Sequence, residues 1–470
     1  MSQYDGNGNV IKVNDSLGGE TTYRYDALDR LQGIEQAGTN VNPKRVDLNY
    51  DNANLLRQIS RFANLAGTQV VANTTYSYDC GGCGDRLTSI HHRKAINNAV
   101  IHDLDFVRDA VGNITRMTDA EGVHTYSYDA LRQLETADQP TGSLQPDETY
   151  SYDLAGNRES SHLSSNYDYL PTGNRLSQDD QFTYQYDNEG NVIRKTNRTN
   201  NDQTDFTYDH RNRLVEILQF SQGGTRIDRS AYVYDAANRR VRAEENGEVA
   251  YFAYDGLNPM LKVNSAGQII SRRLYSRGLD GILADEAVGQ TRWFMTDQVD
   301  TVRDLIGNDG SFITHYAYDS FGQLINQTNP SVVNDILFTS REFNPGTGLG
   351  YFRARFYEPR LGRFDGEDVL PRHPYVYAKS NPLINVDLLG FDAFESTAYS
   401  TILQGLRNAL ARGSIEFFQK SGPLIKLVRS SNSAEAVSAA RALLTILEEA
   451  EAPPHIQVFL RMALAISPFN

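Results

Sequence analysis

A tyrosine-aspartate unit recurs along most of this chain, and it limits the possible folds more than any other feature. It stands out in TTYRYDALDRLQGI, HTYSYDALRQLETA, ETYSYDLAGNRES, FTYQYDNEGNVIRKT, FTYDHRNRLVEI and AYVYDAANRRVRAEE. Tyrosines at alternate positions point to one face of a strand. The Asp-x-x-Gly-Asn or Asp-x-x-Asn-Arg that follows supplies turn chemistry, because Asp accepts from nearby backbone amides while Gly and Asn tolerate positive φ. One unit is therefore a strand, a turn and a returning strand. The units recur irregularly, about 20 to 28 residues apart, as hairpins with loops of variable length do.

A lone hairpin cannot bury an aromatic face, so neighbouring hairpins must pair edge to edge into a long sheet. With about a dozen such units between Tyr4 and Asp319, twist accumulates until the sheet coils or closes. A mainly β fold, a coiled β-hairpin shell, is predicted. The 27 Tyr and 36 Gly suit short strands and tight turns, and the tyrosines read as packing residues. A net charge of -14 disfavours anionic partners, so the shell is not expected to bind nucleic acid. No apolar run approaches the roughly 20 residues that span a bilayer, and Met1-Ser2-Gln3 does not open a signal peptide.

Few residues offer chemistry inside the repeats. Cys80 and Cys83 in DCGGCGD form a CxxC, which is half a zinc site, a redox pair or a glycine-rich turn. His91 and His92 follow at a spacing that completes four ligands. The turn is the favoured alternative, with the two cysteines kept as candidate ligands. Asp103, Asp105 and Asp109 approach a calcium-loop spacing but lack its glutamate and central glycine, and read as solvated turn acids. No phosphate cradle, nucleophile elbow or zinc-protease helix occurs, and no cofactor is expected.

From about Tyr275 the repeat is modified into RWFMTDQVDTVRDLI, HYAYDSFGQ, FTSREFNPGTGLGYFRARFYEPRLGRF and YVYAKSNPLINVDLLGF. This ordered set is similar to the conserved core of the Rhs/YD-repeat family, which is shared with the C components of insecticidal toxin complexes. The resemblance covers residues 1–391 and implies repeats at 1–274 wound into a hollow shell, with a core at 275–391 closing one end. It also implies self-cleavage after an Asp-Pro-x-Gly-Leu motif, using one arginine and two aspartates. By position these are Arg355 in ARFYEP, Asp368 in GRFDGED and Asp387 in NVDLLGF, and the cut falls between Phe391 and Asp392. Val369 and Leu388 stand where the family has prolines, and Phe391 stands where leucine is usual. Two carboxylates brought close share a proton, so one activates water while the other donates to the carbonyl; a nearby arginine orients them or stabilises the oxyanion. The aromatic segment PYVYA between the aspartates reads as β-like, and Arg353, Arg360 and Arg363 read as packing cations among Tyr351, Phe352, Phe356, Tyr357 and Phe364.

Beyond Asp392 the apolar period changes to about 3.6, with Phe394, Ala398, Ile402, Leu406 and Leu410 on one face. A small α-helical domain is predicted over 392–470. The resemblance implies a variable effector there, often a toxin, but the residues point to no activity; Glu448, Glu449 and Glu451 read as a solvated helix end. Its implied partners are this enclosed segment, a shell-closing partner or secretion-system component, and an immunity protein. Export to the surface or medium follows, by a route the sequence does not display. The competing expectation is a non-enzymatic adhesion protein whose repeats bind carbohydrate or protein.

Overall fold

A computed structural model describes residues 2–79, 86–276, 278–287, 289–368, 374–390 and the backbone of 394–395. Of the helical prediction for 392–470 only Phe394–Glu395 is described, and it is a strand and not the start of a helix; the rest, with the cysteines Cys80 and Cys83, lies outside the described residues. Within them the chain is strand after strand, interrupted by two short 3-10 turns, Phe338–Ser340 and Ala378–Ser380. Among the described residues no helix is long and apolar enough to cross a membrane.

Strands pair antiparallel with their sequence neighbours, and the turn chemistry explains the register. At Asp51 the carboxylate Oδ1 accepts the amides of Ala53 and Leu55 at 2.8 and 3.0 Å, while the Asp51 amide donates to the Leu55 carbonyl at 3.0 Å. Asn54 sits between at φ 66°, a left-handed position that Gly and Asn adopt most readily and that Asp29 and Arg132 hold in the turns of Asp26 and Asp129. The same two amides, at i+2 and i+4, are held at Asp26, Asp109, Asp129, Asp153, Asp209 and Asp319. One extra residue in each tight turn produces a bulge, and the register slips just before the second tyrosine at Tyr25, Tyr50, Tyr78, Tyr128, Tyr186, Tyr208, Tyr234 and Tyr318.

The two tyrosines of a unit do different work. The first packs inward, as in Tyr23, Tyr126, Tyr150, Tyr184, Tyr232 and Tyr316, all buried. The second, half-buried in most units and buried at Tyr318, reaches the preceding hairpin, where its hydroxyl donates to the carbonyl of the residue that restarts the strand. These bonds run from Tyr25 to Val10, Tyr78 to Leu56, Tyr128 to Ile114, Tyr186 to Leu176, Tyr234 to Leu214 and Tyr318 to Val302, at 2.6 to 3.1 Å. These hairpins are thus bonded to their predecessors by a side chain as well as by the ladder, whereas the Tyr208 hydroxyl turns to Asp365 instead.

The chain forms two compact units. The first comprises 1–149, 254–263 and 267–342. Its core joins Val13, Leu31, Ile34, Val46, Ile59, Val71 and Ile101 to Leu274, Leu283, Ala284, Trp293, Met295 and Ile306, so two stretches of sheet distant in sequence share one interior. The Trp293 indole, fully buried, donates to Asn308 Oδ1 at 2.8 Å, which satisfies its one polar group. The second comprises 150–253, 264–266 and 343–470. It contains the hairpins from Tyr167–Tyr169 to Glu248–Asp255 and a small sheet of Leu349–Phe352, Arg355–Glu358 and Arg363–Phe364.

Three local expectations are corrected. Asp103 and Asp105 lie on the strand Val100–Arg108, facing Arg93 and His91, and only Asp109 is a turn acid. His91 and His92 are consecutive strand residues pointing to opposite faces. His92 is occupied at both ring nitrogens, Nδ1 against the Thr74 hydroxyl at 2.7 Å and Nε2 against the Thr296 carbonyl at 3.0 Å, so the pair does not complete a four-ligand site. PYVYA is not a strand: it makes a turn, one bridge from Val376 to Arg363, and the 3-10 turn.

Replacing Asp129 with Ala removes the acceptor of the Leu131 and Gln133 amides. Leu131 is exposed and rehydrates while Gln133 is buried, so the expected cost is about 1 kcal/mol, read as a lower urea midpoint at unchanged slope. The turns also set an acid limit. The Leu55 amide, opposed by partial desolvation, holds the Asp51 carboxyl below its ordinary value; at Asp26 and Asp209 burial is the largest influence and raises the carboxyl, but the turn amides and the arginine, Arg30 or Arg213, together outweigh it. A depressed folded pKa gives stability that is complete above the unfolded value, about 4, and is lost as pH falls through the folded value. The share of stability that these turns contribute should hold from neutrality to about pH 4 and be lost below it, read as a thermal midpoint that falls less steeply below pH 4 in Asp51→Asn than in the unaltered chain.

Candidate active site

Arg355 lies at the start of the strand Arg355–Glu358, where it leaves a hairpin turn whose Arg353 adopts φ 66°. Its guanidinium carbon lies over the Phe364 ring, 3.8 Å from the centroid. Phe364 belongs to an aromatic floor with Phe352, Tyr357 and Tyr377, in which all six ring pairs lie 4.5 to 6.0 Å apart. The floor is buried, so it holds the cation in one plane and keeps water from beneath it.

From that plane the guanidinium reaches three backbone segments. Nη2 lies 2.7 Å from Asp368 Oδ2 and 3.5 Å from Asp387 Oδ2. Nη1 donates to the Pro374 carbonyl at 2.8 Å, and Nε donates to the Gly390 carbonyl at 2.5 Å. The fold therefore brings together the three residues that the sequence singles out, Arg355, Asp368 and Asp387. Both carboxylate oxygens touch one nitrogen, so their separation cannot exceed the sum of those two distances.

The segment after Asp387 is shaped by the same carboxyl group. Asp387 Oδ1 accepts the amides of Leu389 and Gly390 at 3.2 and 2.7 Å, closing a turn with Gly390 at φ 76°. A Cβ at Gly390 would lie 2.4 Å from the Phe352 carbonyl oxygen, so only glycine fits. Arg353 Nη1 donates to the Leu388 carbonyl and the Ala354 amide donates to the Leu389 carbonyl. These bonds hold the turn where Leu388 replaces a proline. Val369, Phe391 and Asp392 lie outside the described residues. Past them, Phe394–Glu395 returns antiparallel to Asn385–Val386, so the chain on either side of 391–392 is a paired strand.

Asp368, Asp387 and Arg355 are all buried, at 9, 2 and 9 % exposure. Two carboxylates against one cation leave a net negative charge in a low dielectric, and one shared proton removes it. That is the electrostatic state in which one carboxyl is an acid and its neighbour a base. Asp365 adds a third acid that the sequence did not single out. Burial raises its carboxyl to about 6, against the pull of the Tyr208 hydroxyl, the Phe356 amide and Arg355. Its place three residues before Asp368 was its only signal. The remaining arginines hold the small sheet to the repeats of the same unit. Arg360 bonds Asp179 and Tyr184, and Arg363 bonds Asn157 and the Asn174 carbonyl.

Comparisons with known proteins agree with this architecture. The tRNA3(Ser)-specific nuclease WapA of Bacillus spizizenii is 26% identical over 51% of this chain and 10% of its own length. Double-stranded DNA deaminase toxin A of Burkholderia cenocepacia is 25% identical over 55% of this chain and 20% of itself, and mouse Teneurin-4 is 24% identical over 77% and 14%. The chain thus spans a fifth or less of these relatives. The crystal structure of TcdB2-TccC3-Cdc42 superposes with a TM-score of 0.69 at 19% identity, over 83% of this chain and 21% of that one. Because the Teneurin YD-shell model matches residues 15–382, well over half of the sequence, the chain belongs to the Teneurin YD-shell family.

Proposed function

We propose that this chain is a YD-shell carrier that cuts itself between Phe391 and Asp392 and so frees the segment from Asp392 onward. One observation carries the proposal: a single buried guanidinium engages both candidate carboxylates and the carbonyl of Gly390, one residue before the bond to be cut. In this scheme residues 1–274 supply the repeats, 275–391 the closing core, and 392–470 the carried effector. The relatives named as a nuclease and a deaminase toxin support a carrier of that kind. An immunity protein for the effector and a shell-closing or secretion partner, with export from the producing cell, belong to the same proposal.

The chemistry is hydrolysis. One ionised carboxylate takes a proton from water, whose oxygen attacks the Phe391 carbonyl carbon, while the protonated carboxyl hydrogen-bonds the carbonyl oxygen. Collapse of the tetrahedral adduct returns the proton taken from water to the Asp392 nitrogen, giving a new carboxylic acid at Phe391 and a new amine at Asp392, and transfer of the acid's proton leaves carboxylate and ammonium termini. Arg355 keeps the carboxylates paired and pins the Gly390 carbonyl, which fixes the approach of the next peptide bond. Water is the only co-reactant, and each carboxyl group returns to its starting state.

Intact-mass spectrometry of the purified chain should show a large fragment ending at Phe391 and a small one beginning at Asp392; a chain that stays whole overturns the proposal. Asp387→Asn keeps an oxygen for the Leu389 and Gly390 amides, so it should fold normally and slow cleavage at least about 100-fold, as should Asp368→Asn. Gly390→Ala forces a side chain into the left-handed region and against the Phe352 carbonyl. It should cost more than about 1–2 kcal/mol in a denaturant titration and also slow cleavage.

A further inference from the structure

The first unit contains a second polar cluster, which neither the repeat pattern nor the junction uses. His102 lies on the strand Val100–Arg108, Asp304 on Val302–Ile306 and His315 on Phe312–Tyr318. Asp304 and His315 are cross-strand partners, and Asp304 Oδ1 is 2.8 Å from His315 Nδ1. On the other side Asp304 Oδ2 is 3.0 Å from His102 Nδ1, and the two imidazoles stack with centroids 5.7 Å apart. One donor atom from each of the three residues lies within 4.8 Å of the other two.

Two features do not fit a plain His–Asp–His hydrogen-bond chain. Asp304, 1 % exposed, leaves Oδ2 with no aligned hydrogen bond despite the nearby His102 nitrogen. A short nitrogen-to-oxygen distance without donor alignment is what two lone pairs directed at a common point produce. His102 is also buried, its Nε2 has no hydrogen-bond partner among the described residues, and the ring is positioned by Asp304 at Nδ1 and by its stack on His315. The surrounding groups are engaged elsewhere. Arg303 faces Asp297 at 4.0 Å, His124 faces Asp119 at 3.1 Å, and His92 is bonded at both nitrogens.

We propose that His102, Asp304 and His315 form a binding site for one divalent transition-metal ion of the zinc type, held by two imidazoles and a carboxylate with a fourth position left for water. Imidazole and carboxylate donors in this number suit zinc and its first-row neighbours. The ion would tie a strand near residue 102 to a hairpin some two hundred residues later, within the unit whose core joins those same stretches. Its role is a structural clip, since binding energy at ligands brought together only by folding becomes folding energy.

The full chain, stripped with a chelator and titrated with Co2+ alone, should take up one equivalent and show visible d–d absorption without a thiolate charge-transfer band. Zn2+ should displace the Co2+ and raise the thermal midpoint by several degrees, about what a ligand well above its Kd achieves. His315→Gln, at a partly exposed ring, should weaken Co2+ binding at least about tenfold and abolish the Zn2+-dependent rise. Cys80→Ser with Cys83→Ser should change neither. Absence of stoichiometric uptake, a thiolate band, or uptake indifferent to His315→Gln overturns the proposal. The wild-type spectrum alone decides it if the variant fails to fold.

Discussion

Everything in this chain depends on one carboxylate that takes two backbone amides. In each repeat the turn aspartate replaces the hydrogen bonds that a tight reversal leaves unmade, as at Asp51 with Ala53 and Leu55. The bulge that results shifts the following pairing by one residue, and the second tyrosine therefore stands where its hydroxyl meets the previous strand. Turn, bulge and tyrosine bond form one device, repeated with variable loops between. Loop length is free because register is reset at every turn. That is why the repeats tolerate irregular spacing, and why a long sheet assembles without long-range instructions.

The junction uses the same device for another end. Asp387 accepts the amides of Leu389 and Gly390, at i+2 and i+3 where a repeat aspartate takes i+2 and i+4, and its second oxygen turns toward Arg355 rather than to solvent or a strand-end arginine. Compare Asp209, whose second oxygen pairs with Arg213 four residues on, partly exposed. A structural turn becomes a candidate reactive one when its arginine comes from another strand, is buried on an aromatic floor, and already holds a second carboxylate. Burial decides the difference: an exposed pair of this kind contributes little, whereas two buried carboxylates on one cation drive proton sharing.

How much of this was legible in the sequence follows from the range of each interaction. Tyr-x-Tyr alternation and Asp-x-x-Gly/Asn turns are local, so strands, turns and their pairing order could be read directly. Arg355, Asp368 and Asp387 could be singled out because they cluster within one short stretch that resembles a known core. Asp365 was passed over because its character comes from burial and from Tyr208, 157 residues earlier. Asp103 and Asp105 were misread as turn acids because a strand with charges on its outer face looks like a loop; their partners Arg93 and His91 lie on the neighbouring strand. The His102, Asp304 and His315 cluster has no local signature at all.

The two clusters differ in what burial does to them. Around Arg355, desolvation concentrates negative charge against a fixed cation and favours a mobile proton. Around Asp304, it places a carboxylate between two imidazoles, whose nitrogen lone pairs can join the carboxylate in holding a bound cation. The contrast turns on the permanence of the guanidinium, which cannot give up its proton, against imidazole nitrogens that offer lone pairs. The turn acids of the repeats are mostly half-exposed, whereas these two clusters bury theirs, and the partner each buried acid meets, arginine or histidine, sets the chemistry available to it.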